Sequence, residues 1–240
     1  MTAFGAAILV FSGLAATPEE LSDFEAKAEY AFFTEDANAL RGLLTPATQS
    51  TRPLELYHHA HAEFRLEQLA RAAGRSDEAA AAGVACVSLL ETAIAAEPDF
   101  AEALVRAAAC NGYLAAGGGL RGHLAAHRAS AELGAARRLA PGNARALLVG
   151  GLLQWFGGVS GGHGAARPTL KRAAAAFDTV VASQAGAPTW GAAESWLFVG
   201  RALEEQGDLL GARSAYEKAL LVAPQFAAAR RRLTALASRR

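Results

Sequence analysis

The chain has 240 residues, 52% of them apolar, which suffices for one large core or an elongated array. Its 23 basic and 23 acidic residues cancel, which argues against nucleic acid as a partner, because phosphate binding needs a basic surplus on some face. Alanine is abundant and runs of Val, Ile, Thr and aromatics are nearly absent, so the chain is predicted to be all-α.

Met1–Ala16 reads MTAFGAAILVFSGLAA and carries no charge. It is shorter than the roughly 20 residues of a membrane span, so no stable span is expected. Its apolar core and the small residues Gly13, Ala15 and Ala16 read as an export signal, although a basic leading segment is missing. The expected location is periplasmic or exported, or cytoplasmic if this segment is instead a buried first helix. Residues 17–240 are read as a single domain.

Thr17-Pro18-Glu19-Glu20 is a helix start: a Thr cap, Pro in first position, acids in the first turn. The helix turns Leu21, Phe24, Ala28 and Phe32 inward and breaks over Phe33–Asn38. Residues 39–52 are mixed, punctuated by Pro46 and Pro53. A second periodic stretch, 54–73, carries Leu56, Ala60, Phe64, Leu66 and Leu69. Gly74-Arg75-Ser76-Asp77 then turns the chain into a helix that runs to about Glu97.

Three junctions share one form, a helix end, a Pro, a small turn and a fresh Ala-rich helix. They centre on Pro98, Pro141 and Pro224. The prolines lie 43 and then 83 residues apart, against about 34 and 68 in a strict array of helix pairs. Gly117–Gly122, Gly157–Gly164 and Gln184–Pro188 hold the excess, as loop insertions that cost little entropy. The resulting hairpins are 54–97, 101–140, 144–186 and 193–223, followed by a capping helix over 226–238. That last helix turns Arg230, Arg231 and Arg232 outward and Leu233 and Leu236 inward.

The regular unit is Ala193–Pro224. Trp196, Val199, Gly200 and Leu203 fill its first half, and Ala212, Tyr216, Ala219 and Pro224 its second. Gly207 is placed to end one helix and Asp208 to cap the next. On these residues the chain resembles the tetratricopeptide repeat (TPR) family. The resemblance implies a right-handed superhelix of hairpins with Gly-rich inserts. Residues 21–238 further resemble an uncharacterised family of exported bacterial TPR proteins, through Asn143–Leu148, Phe156-Gly157-Gly158 and Pro188-Thr189-Trp190-Gly191.

That resemblance implies a hollow lined by the first helix of each hairpin. Tyr113, Arg145, Trp155, Phe156, Glu194 and Arg201 are the expected partner-binding residues, aromatic anchors with charges around them. The expected function is a non-enzymatic adaptor binding a peptide or protein segment. The alternative is a small-molecule carrier of the kind associated with solute transporters. An open groove along the array would favour the first, and an enclosed apolar pocket near Trp155 the second.

No cofactor, catalytic group or metal site is expected. His58 and His61, like His123 and His127, have metal-pair spacing but no completing ligand, and read as exposed helix positions. The Gly157–Gly164 loop lacks the Lys-Ser/Thr ending of a phosphate cradle. Glu204-Glu205 point to different sides of a helix and read as solvated acids. Cys86 and Cys110 are read as two small buried thiols, with a disulfide the alternative in an exported protein.

Overall fold

The computed structural model describes residues 15–45, 50–157, 162–179 and 185–238. Most of the candidate export signal lies outside them, as do 158–161 of the Gly157–Gly164 insert and Gln184 of the next. The described residues form eleven α-helices: α1 (Pro18–Phe33), α2 (Ala37–Leu43), α3 (Pro53–Ala72), α4 (Ser76–Ala96), α5 (Ala101–Ala115), α6 (Gly119–Leu139), α7 (Ala144–Phe156), α8 (Gly162–Phe177), α9 (Ala192–Glu205), α10 (Leu209–Val222) and α11 (Ala227–Ala237).

These helices pack as sequential hairpins in a TPR-like, all-α array. Within each pair the two helices make the most extensive contact, α4 passes the packing on to α5 and α8 to α9, and the first helices α3, α5 and α7 touch in turn. Small side chains allow this approach, including Ala103, Ala107 and Ala108 on α5 and Ala212, Ala215 and Ala219 on α10. In the α9–α10 hairpin a Cβ at Gly200 would overlap the Tyr216 ring, so only glycine fits. Gly207 ends α9 at φ 79°, and the Asp208 carboxylate caps α10 by accepting from Gly211 N at 2.9 Å.

α2 spans the end of the expected break at Phe33–Asn38 and the start of the mixed stretch 39–52. Its 7 residues are about two turns, too few to show a helical stripe. Asp36 starts it, accepting from Ala39 N at 2.9 Å. The N-terminal hairpin reaches the far end of the array. Phe33 meets Phe226 with ring centroids 4.6 Å apart, and Glu35 pairs with Arg231 of α11 at 2.5 and 2.7 Å.

Cys86 of α4 and Cys110 of α5 form a disulfide, which corrects the expectation of two thiols. They stand on the facing stripes of two directly packed helices, with Cα atoms 6.4 Å apart and no exposed surface. α4 is long and apolar enough to cross a membrane by composition. Its stripe of Ala79, Ala82, Cys86, Leu90 and Ala93 is instead buried in the array.

Candidate functional site

The first-helix face divides along its length. Its N-terminal part is filled by the chain itself. α1 lies along α3, and the segment 185–191 crosses between α1 and α7. Glu25 of α1 anchors the crossing: its Oε1 accepts from Thr189 N at 2.6 Å, Thr189 Oγ1 at 2.9 Å and Trp190 N at 3.2 Å. Ser22 Oγ accepts from Gly186 N at 2.8 Å. From the other side Arg145 donates to the carbonyls of Trp190, at 3.1 Å, and of Pro188. Burial raises the Glu25 carboxyl, but His58, whose Nδ1 lies 3.1 Å from Glu25 Oε2, and the Thr189 amide outweigh it and hold the group well below the usual carboxylate range.

Beneath this strap lies a buried polar network. Arg65 is held bidentately by Glu29, at 2.5 and 2.9 Å, and also by Glu194. Burial lowers its guanidinium, yet Glu29 and Glu194 more than reverse that shift. Arg106 donates to His61 Nδ1 at 2.5 Å, so the ring proton sits on Nε2 and is donated to Glu29 at 2.8 Å. Burial, then the charges of Arg106 and Arg65, hold His61 well below its ordinary range, and the ring is neutral. His58 bridges α3 to Gly186 O at 2.9 Å. Both histidines are fully buried, which corrects the expectation of exposed helix positions.

The Trp190 ring is the lid of the network. Its Nε1 donates to Tyr57 Oη at 2.7 Å, and its face covers the Arg106 guanidinium at 3.6 Å. The Phe64 ring lies 4.6 Å from the same guanidinium. Among the described residues Arg106 has no ion pair, and its Nε and Nη1 have no hydrogen-bond partner.

The C-terminal halves of the same first helices are left uncovered and line a half-open pocket of about 350 Å³. α3 supplies Phe64, Gln68, Arg71 and Ala72 to its wall. α5 supplies Ala109, Gly112 and Tyr113, with Ala116 at its end. α7 supplies Val149, Leu152, Leu153 and Phe156. A ladder of rings continues from it. Tyr113 stands edge-on to Phe64 at 5.1 Å, Phe156 lies 6.4 Å from Tyr113, and Phe198 lies 5.8 Å from Phe156. A wider recess of about 610 Å³ opens among α4, α5 and α6, where Arg128 and Glu91 pair across it at 3.4 Å.

Of the six residues expected to bind a partner, Tyr113 and Phe156 line the pocket, and Phe156 is exposed at its lip. Arg145 and Glu194 are buried and committed to the strap and to Arg65. Trp155 is buried too, stacked on His163 at 3.9 Å with Arg201 5.2 Å from its ring. Burial takes these three out of direct reach of a partner, against the expectation. Arg201 instead lines a separate recess of about 210 Å³ with Glu204, Glu205 and Arg232. Glu204 accepts from Tyr216 Oη at 2.7 Å and is mostly covered, whereas Glu205 is exposed as expected.

Phe64, Gln68 and Arg71 join the expected residues on the wall, and no signal local to α3 distinguishes them from ordinary core and surface positions. Among the described residues no group of three metal-ligating side chains converges.

No protein-family profile matches the chain, and no curated protein matches it. Solved structures do. The chain is similar to TTC0263, a thermophilic TPR protein of Thermus thermophilus, with a TM-score of 0.54 and 20% identity over 92% of this chain and 98% of that one. It is also similar to the HusA haemophore of Porphyromonas gingivalis, with a TM-score of 0.59 and 19% identity over 80% of this chain and 94% of that one. The likeness is one of fold: eleven described helices arranged as a TPR-like repeat protein.

Proposed function

We propose that the protein is a non-catalytic carrier that takes a small apolar molecule into the pocket among α3, α5 and α7. One observation carries this reading. The chain's own α1 and 185–191 segment occupy the N-terminal part of the hollow, and what stays open among α3, α5 and α7 is a half-open apolar pocket of small-molecule size. A volume of about 350 Å³ lies within the roughly 300–1,000 Å³ of small-molecule sites, and an apolar wall with a few polar groups is what such sites present. The Cys86–Cys110 disulfide supports an exported, oxidising location, where such bonds persist.

A haem reading, suggested by HusA, finds little support in the lining. Among the described residues no His, Met or Cys lines the pocket, and the Tyr113 oxygen is already engaged by Gln68 at 3.0 Å. The adaptor reading keeps one argument. Phe156 is 57% exposed and leads from the pocket toward Arg201, a path that a peptide could follow after anchoring one side chain.

Titration with the neutral fluorophore N-phenylnaphthylamine tests the carrier. Saturable binding is expected, and Leu152→Trp, which fills the pocket from α7, should abolish it while the helical circular dichroism persists. Absence of saturable binding, or binding that Leu152→Trp leaves unchanged, would remove the pocket as the site.

A further inference from the structure

One corner of the pocket is polar, and it offers hydrogen-bond donors. The pattern is set from inside the molecule. Arg65, held by Glu29 and Glu194, sends Nη1 to Gln68 Oε1 at 2.9 Å. A guanidinium only donates, so this bond fixes which way the Gln68 amide points. Gln68 Nε2 then donates to Tyr113 Oη at 3.0 Å. With its oxygen accepting, the phenol retains its own hydrogen to give.

Arg71 completes the corner. Its Nη2 donates to Tyr113 O at 3.1 Å and to Glu67 Oε1 at 3.2 Å, which pins the guanidinium beside the Tyr113 ring. Its Nη1 and Nε make no bond to the described residues, and the side chain is 39% exposed. Burial drives the Glu67 carboxyl up to about 7, so it neutralises Arg71 only in part at neutral pH. Behind Phe64, the Arg106 guanidinium stands without an ion pair among the described residues and adds positive charge to the same wall.

Gln68, Arg71 and Tyr113 are the polar side chains of the lining. A ligand group that satisfies them must accept hydrogen bonds, and Arg71 favours one that is negative. We propose that the ligand is an apolar carboxylic acid, its hydrocarbon body against Phe64, Val149, Leu152 and Phe156 and its carboxylate on Arg71, Gln68 Nε2 and the Tyr113 hydroxyl. This assignment rests on the carrier reading of the same pocket.

Calorimetric titration of the full chain at pH 7 with decanoate, decanol and decyltrimethylammonium, each below its micelle concentration, tests it. Decanoate should bind at least ~10-fold tighter than decanol, the scale of a charge-assisted hydrogen bond, with the ammonium compound weakest. Arg71→Gln should erase that preference, bringing decanoate affinity down to that of decanol in the same variant. Tyr113→Phe keeps the ring, removes one donor, and should weaken decanoate about 3- to 10-fold. Circular dichroism checks that both variants fold. Equal affinity for decanoate and decanol, or a preference that survives both substitutions, overturns the acid assignment while the carrier reading stands. No saturable binding of either compound overturns both.

Discussion

Glu67 has no exposed side-chain surface, and Arg71, 3.2 Å away, is its one ion partner among the described residues. Burial raises its carboxyl to about 7 against an ordinary 4.5. Between those values the folded chain holds a proton that the unfolded chain has released, so stability falls as pH rises through the window and levels off above it. Glu63 and Glu132 are raised to about 7 in the same direction and add to the trend. Glu67→Gln should therefore raise stability at pH 8 by about 2 kcal/mol and change little at pH 4, read from denaturant midpoints. Glu25 acts oppositely: its contribution is present above pH 4.5 and is lost as pH falls below it. Arg65 shows the cost of a broken buried pair. Glu29→Ala leaves its guanidinium with Glu194 alone among carboxylates and should destabilise by about 3–5 kcal/mol in the same measurement. These buried polar groups were not legible in the sequence. His61, Arg65 and Arg106 look like solvated helix positions until the segment around Trp190, far along the chain, folds back over them.

At the scale of elements, the regular hairpin was legible and the irregular ones less so. Gly200 against Tyr216, and Gly207 followed by Asp208, are local signals whose structural meaning does not depend on distant residues. Tyr113 and Phe156 could be placed in the hollow through the repeat positions that the TPR resemblance implies. Arg145 and Glu194 occupy corresponding register but meet the strap and Arg65, and nothing within their own hairpins announces it. The disulfide belongs to this scale as well. Cys86 and Cys110 are 24 residues apart and meet because one hairpin's second helix packs on the next hairpin's first. Replacing both with alanine should lower stability by about 3 kcal/mol, given the loop they close. A reductant should lower the wild-type denaturant midpoint and leave that of the double variant where it was.

Across the whole molecule, the array is turned in on itself. α1 lies on α3, the strap before α9 ties α1 to α7, and Phe33 and Glu35 reach Phe226 and Arg231 at the far end. A repeat fold ordinarily offers a continuous concave surface, in which each repeat contacts only its neighbours. Here contacts between residues more than a hundred positions apart occupy much of that surface. What they leave open on α3, α5 and α7 is the pocket at the C-terminal turns, where the proposed carrier reading puts the ligand. Amide shift mapping by NMR during addition of an apolar ligand tests this most directly. The account predicts perturbations centred on Gln68, Gly112, Ala116 and Leu153, with the amides of Arg145 and Glu194 unmoved. Perturbations centred on Arg145, Glu194 and the 185–191 segment would contradict it.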